Sequence, residues 1–141
     1  MFRVITGGVA EDQRGQIRFV NEFNMSLVER FYIIKNKDLE LVRGWRAHRI
    51  EQRWFYAISG GFSIDLIKID NWDIPSNDLL VDRVVVHSTN HNILHVPAGY
   101  ATAIQALEVE SELLVFADYP LSHASIDDHT YELKYFKNRN G

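Results

Sequence analysis

The sequence predicts an all-β fold, a sandwich or a barrel. Two observations carry this. Short segments rich in β-branched and aromatic residues alternate with turn-forming clusters over nearly all of the 141 residues, the pattern of antiparallel sheets rather than of βαβ units. Apolar residues inside those segments recur at period two, which leaves little room for helix.

Taken in order, Asp12-Gln13-Arg14-Gly15 reads as a turn and residues 17–21 as the strand that follows it. Residues 28–35, dense in aromatic and β-branched side chains, read as a second strand. Segments 53–59 and 62–69 flank Gly60-Gly61, a pair able to supply the positive φ of a tight hairpin. In that hairpin Trp54, Tyr56 and Ile58 share one face, and Phe62, Ile64 and Leu66 share one face of the next strand, so that facing rows build a core. Residues 71–78, with Pro75 among several turn formers, read as a loop. Segments 81–86, 93–96, 101–107 and 112–117 read as further strands. The polar tail, 122–141, is expected to be a C-terminal extension, a short helix or a strap on a single domain that spans residues 1–141. No repeat at solenoid spacing and no low-complexity segment interrupts the chain.

The formal charge of -4, from 15 Lys+Arg against 19 Asp+Glu, provides neither a basic field for nucleic acid nor a polybasic patch for a membrane. With no cysteine there is no disulfide and no thiolate metal site. Residues 1–15 lack the apolar core of a signal peptide, and no run of about 18 apolar residues could span a bilayer. The expectation is a cytoplasmic protein.

Three segments, in order, carry a resemblance. The first is Asp12-x-Arg14-Gly15 followed by Arg30-Phe31-Tyr32-Ile33. The second is Arg43-Gly44-Trp45-Arg46-Ala47-His48-Arg49 and the third Val96-Pro97-Ala98-Gly99-Tyr100-Ala101-Thr102. Over about residues 7 to 120 the chain resembles the cupin-fold sugar-nucleotide enzymes, the dTDP-4-keto-6-deoxyglucose 3,4-ketoisomerases and the dTDP-4-dehydrorhamnose 3,5-epimerases. In the ketoisomerases the second segment is similar to Arg-Gly-aromatic-His-Ala-His-Lys, and the third resembles the epimerase turn Ile-Pro-x-Gly-Phe-Ala-His. The resemblance implies a cupin double-stranded β-helix (a jelly-roll barrel), a nucleotide-linked sugar as ligand, a homodimer and no cofactor, since proton transfer on a keto sugar needs no redox group. Arg46 stands where the families place their catalytic histidine, and Thr102 where the epimerase turn ends in histidine.

These departures shape the candidate site. A guanidinium stays protonated, so Arg46 cannot be a base, and with Thr102 in place of a histidine no intrinsic metal site is expected. Arg46 and His48, two apart on a strand, face the same way. Either they line a ligand cavity, with Arg46 stabilising an enolate or a phosphate and His48 transferring a proton, or they are a solvent-facing arginine and a structural histidine. Tyr32 is the candidate second proton donor, or else a core aromatic. Arg43 is either a diphosphate anchor beside Gly44, which would let ligand and backbone approach closely, or a surface charge. Tyr100 is a candidate for stacking on sugar or base, or else core. His95 is a candidate cavity residue or a hydrogen-bonded core imidazole. The four-residue spacing of His87, His91 and His95 reads as coincidence, and His123, Asp127, Asp128 and His129 read as a solvated loop. The resemblance therefore implies an isomerase or epimerase that acts by enolisation on a dTDP-linked 4-keto-6-deoxy sugar. The alternative is a catalytically silent sugar-nucleotide-binding cupin or a partner of a polysaccharide-biosynthesis enzyme.

Overall fold

A computed structural model describes residues 1–140. Its strands are β1 (Arg3–Ile5), β2 (Gly8–Asp12), β3 (Gly15–Phe19), β4 (Arg30–Ile34), β5 (Val42–His48) and β6 (Arg53–Ser59), then β7 (Gly61–Lys68), β8 (Asp82–His87), β9 (Ile93–Val96), β10 (Tyr100–Ala106), β11 (Glu112–Ala117) and β12 (His129–Thr130). They form two five-stranded sheets, ordered β1-β9-β6-β11-β4 and β12-β5-β10-β7-β8, and a separate β2-β3 ribbon. Every pairing is antiparallel. Three-residue and longer 3-10 helices occupy Met25–Leu27, Leu121–Asp127 and Lys137–Asn140. Among the described residues no helix is long and apolar enough to cross a membrane.

The ribbon turns where the sequence predicts it, with the Arg14 backbone N–H donating to Asp12 Oδ1 at 2.8 Å. The expected Gly60-Gly61 hairpin is not formed. β6 pairs with β9 and β11, while β7 pairs with β10 and β8, so the glycines carry the chain from one sheet to the other. Gly60 has φ +63°, and a Cβ there would lie 2.0 Å from Ser111 Oγ, which itself accepts the Gly61 N–H. The corner needs both the left-handed backbone and the missing side chain.

The two sheets bury their facing surfaces in one core of Phe55, Ala57, Phe62, Ile64, Leu66, Val86, Leu94, Val96, Ile104, Leu113 and Val115. The predicted row of Phe62, Ile64 and Leu66 is on this inner side. Its expected partner row is not: Trp54 and Tyr56 lie on the outer face of the first sheet, under Val20, Phe23 and Val28. Because a strand alternates sides, Arg53, Phe55 and Ala57 are the inward residues of β6.

Apolar residues also cover the outer face of the second sheet. Trp45, Ala47, Ile67, Ile69, Ala101 and Ala103 pack there beneath Phe136, Tyr131 and Tyr135 of the tail. Trp45 and Tyr131 exchange two backbone hydrogen bonds of 3.0 Å, the Trp45 indole N–H donates to the Leu133 carbonyl, and the Tyr135 hydroxyl donates to that of Pro75. Residues 122–140 thus run as a strap across β5. Asp127, read from sequence as part of a solvated loop, is buried at 1% exposure. The strap places it beneath the end of β5, and its carboxylate is fully used, as described below.

Gly44 has its own reason within β5. A Cβ there would meet Ala103 Cα and Cβ of β10 at 2.7 Å, so close approach of the two strands already requires the glycine, which also lines the cavity described below.

Replacing Phe136 by Ala removes a side chain packed edge-on to Trp45 at 5.4 Å and is expected to lower the unfolding free energy by about 3 kcal/mol. Urea denaturation measures this as a lower midpoint at unchanged slope. A loss under about 1 kcal/mol would mean that the strap is not packed as described.

Candidate functional site

Where β4 and β5 border the barrel mouth, the inward residues change from apolar to polar and a cavity of about 870 Å³ opens. Arg30, Tyr32, Arg43, Arg46, His48, Glu51, Arg53 and Thr102 line it, and Ala124, Ser125 and Asp128 of the strap close one side. Strand alternation explains the set. Arg30 and Tyr32 are cross-strand partners of the inward Ala117 and Val115, while Arg46 and His48 are opposite Thr102 and Tyr100. A register shift between Thr102 and Ile104 brings Arg43 to the same side.

Four guanidinium groups therefore converge in a chain whose net charge is -4. Each is held. Arg30 donates from Nη2 to Glu51 Oε1 at 2.9 Å and from Nε to the Tyr119 carbonyl at 3.1 Å, and its Cζ lies 5.2 Å from the Tyr32 ring centroid. Buried Arg53 donates to Thr102 Oγ1 at 3.0 Å. Arg43 donates from Nε to Asn36 Oδ1 at 2.8 Å. Asn36 is fixed in turn by donating to the Leu41 and Ile104 carbonyls. Arg46 meets Asp128 Oδ1 at 3.0 Å near the mouth, a half-exposed pair worth little to stability and free to exchange for a ligand.

His48 is the site's single imidazole, and its tautomer is dictated. Nδ1 lies 2.9 Å from the Asp127 carbonyl oxygen, which can only accept, so Nδ1 carries the hydrogen and Nε2 keeps its lone pair. Burial, then the Arg53 charge, push the His48 pKa down to about 3, with Arg46 and Arg30 acting in the same direction. Its approaches to Glu51 Oε2 at 3.7 Å and to Asp127 Oδ2 at 3.9 Å are accordingly contacts of a neutral ring rather than salt bridges.

The turn after β5 hangs from Asp127. Its carboxylate accepts the backbone N–H groups of Arg49, Ile50 and Glu51 at 2.7–3.0 Å. This fixes Glu51, which is 2% exposed. Its Oε2 has no hydrogen-bond partner among the described residues, and burial, the largest influence, raises its pKa against the pull of Arg53 and Arg30.

Of the residues anticipated from sequence, the cavity brings together His48, Arg46, Arg43 and Tyr32. It does not include the other two. Tyr100 faces inward but is 6% exposed in the closed core, edge-on to Phe2 at 6.0 Å. His95 lies on the opposite face of the first sheet, stacked on Trp54 at 4.9 Å and bonded to Gln52, because the register of β9 turns Leu94 and Val96 inward instead. Sequence reasoning did not place Arg30, Arg53, Asp127 or Asp128 in the site. The two-residue step from Arg30 to Tyr32 signals that they share a face, and the inward row of Phe55 and Ala57 would have taken Arg53 with it.

No family model and no curated protein matches the sequence. Solved structures do match the fold. A sugar 3,4-ketoisomerase from Thermoanaerobacterium thermosaccharolyticum, in complex with TDP, superposes with a TM-score of 0.73 at 16% identity, covering 96% of this chain and 91% of that one. A dTDP-4-dehydrorhamnose 3,5-epimerase from Bacillus anthracis, with TDP and PPi bound, gives 0.74 at 13% identity over 94% and 79%. A double mutant of a 3'-monoepimerase from Streptomyces bikiniensis, in complex with dTDP, gives 0.77 at 12% identity over 94% and 69%. The fold is the cupin double-stranded β-helix that the three sequence segments implied.

The dictated tautomer has a measurable consequence. The ring nitrogens of His48 are expected to keep the chemical shifts of a neutral, Nδ1-protonated imidazole from pH 8 to pH 5 by NMR, and a midpoint near 6.5 would contradict the geometry. The folded pKa of about 3 lies below the ordinary 6.5, so the stability linked to His48 is whole above pH 6.5 and falls as pH drops toward 3.

Proposed function

We propose that this protein is a sugar-nucleotide isomerase or epimerase. It binds a dTDP-linked 4-keto-6-deoxy sugar, removes a proton from a carbon beside the ketone, and returns it elsewhere to give 3,4-ketoisomerisation or 3,5-epimerisation. The observation that carries this reading is the convergence of four arginines on a cavity that also presents a neutral imidazole and a buried carboxyl group. A diphosphate offers the arginines bidentate oxygen acceptors. An enolate oxygen, formed only during reaction, is stabilised by donors already in place.

Arg43 and Arg46 act at the mouth as anchors for the diphosphate, and an incoming phosphate displaces Asp128 from Arg46. Arg53 and Arg30, deeper in, face the developing enolate. His48, neutral with its Nε2 lone pair directed away from Asp127, accepts a proton from a sugar hydroxyl, and the Tyr32 phenol donates one. Each step moves protons only, so no cofactor takes part. The TDP named in the solved cupin structures supports the choice of nucleotide, and the cavity volume is in the range of small-molecule sites. The reading places the protein in the cytoplasm, in carbohydrate biosynthesis such as that of lipopolysaccharide. It also includes a homodimer, supported by Phe31 and Ile33, which are 65% and 49% exposed on the edge strand β4.

One observation favours a second reading. Arg46 is a permanent cation where the resembled families have a base, and His48 with a pKa near 3 is a weak one, as in a module that binds the sugar nucleotide without turning it over.

Proton NMR of dTDP-4-keto-6-deoxyglucose in deuterated water separates the two. The first reading predicts enzyme-accelerated loss of a sugar C–H signal, at a position that identifies the reaction. Binding without exchange, with exchange gained on Arg46→His substitution, would establish the silent module instead.

A further inference from the structure

We infer that Glu51 is the catalytic base that takes the proton from carbon, its unpaired Oε2 standing in the cavity wall 3.7 Å from His48 Nε2. The inference rests on the reading of the cavity as an enolising site and names the group that reading lacks. Arg46 cannot serve. Neither can the other arginines, for the same reason. Asp127 spends both carboxylate oxygens on the N–H groups of residues 49–51, and Asp128 is paired with Arg46 at the exposed mouth. His48 has a free lone pair, but burial and three guanidinium groups make it a weak base.

Glu51 differs in each respect. Its Oε1 is held by Arg30, which fixes the plane of the carboxylate, while Oε2 accepts no hydrogen bond among the described residues. An acceptor left bare in a polar cavity is a position that substrate can complete. The backbone beneath it is pinned by three hydrogen bonds to Asp127, so the base is positioned before substrate arrives. The charged and titratable groups that face it are Arg30 from β4, His48 from β5, Arg53 from β6 and Asp127 from the strap. Burial outweighs the two arginines and raises the Glu51 pKa, which strengthens the carboxylate as a base.

The step balances without an oxidant. An O–H bond forms at Glu51 Oε2 as the C–H bond beside the ketone breaks. The C–H electron pair becomes the C=C bond, and the carbonyl oxygen becomes an enolate facing Arg53 and Arg30. Glu51 then returns a proton to carbon, while His48 Nε2 and Tyr32 manage the hydroxyl protons.

The test measures solvent exchange of the keto-sugar C–H against pH, alongside TDP affinity, for wild type, Glu51→Gln and Glu51→Asp. Wild-type exchange is expected to rise with pH as the raised Glu51 pKa is passed. Glu51→Gln, which keeps an acceptor for Arg30, is expected to bind TDP unchanged and to lose about a hundredfold or more in rate. Exchange at the wild-type rate in Glu51→Gln overturns the assignment alone. A wild type that binds TDP but shows no exchange overturns the proposed function, and the assignment with it. If Glu51→Gln fails to fold or to bind, Glu51→Asp decides: a slowed rate with a displaced acid limb supports the assignment, and a wild-type rate and profile overturns it.

Discussion

A carboxylate almost wholly removed from water must be compensated where it sits, and Asp127 is compensated chiefly by backbone N–H groups, with His48 and His129 at 3.9 Å beside it. It accepts the N–H groups of Arg49, Ile50 and Glu51, while its own carbonyl accepts His48 Nδ1–H. Most features of the site depend on this residue. It ends β5, fixes the turn that carries Glu51, selects the histidine tautomer and ties the strap to the barrel. Unpaired, such a charge would cost several kcal/mol. The chain after β11 is thus drawn back across β5, where Phe136 and Tyr131 cover Trp45. Strap and site are built by the same contacts.

Beside this compensated anion lies a cavity whose charge is not balanced. Arg30, Arg43, Arg46 and Arg53 face it against Glu51 and Asp128. Gathering like charges at one barrel mouth opposes folding, and nothing in the packing of the core requires it. Departures from locally consistent design concentrate at functional sites. A bound dianion would relieve the repulsion, and the fold positions the side chains for it through Asn36, Thr102 and Tyr119. His48 lies in the same field: burial first, then the charge of Arg53 with those of Arg46 and Arg30, keeps its imidazole neutral.

Much of the fold was legible because period two and turn chemistry are local. Segments 53–59, 93–96 and 112–117 are strands with the bounds the sequence implies. The Gly60-Gly61 reading failed because a glycine pair fixes a sharp corner but not which sheet the next strand joins. The facing of β6 was misread for a related reason. Phe23 and Phe116 cover its outer side, so both sides are apolar and alternation alone cannot tell them apart. β5 carries an arginine-rich pattern that hides its strand character, yet the spacing of Arg46 and His48 placed them correctly on one side. Tyr100 and His95 were set by depth in the barrel and by register, neither of which is written in a local window. Asp127 was out of reach for the same reason: its partners lie 76 to 78 residues away.

The central claim is that the arginine-lined mouth is a diphosphate site, and calorimetric titration tests it most directly. Thymidine, TMP and TDP would be compared at low and at moderate salt. The account predicts TDP binding about a hundredfold tighter than thymidine, the worth of two charge-assisted contacts, with TMP between them and the differences shrinking as salt rises. Equal affinity for the three ligands, or no binding of TDP at either salt concentration, would contradict it.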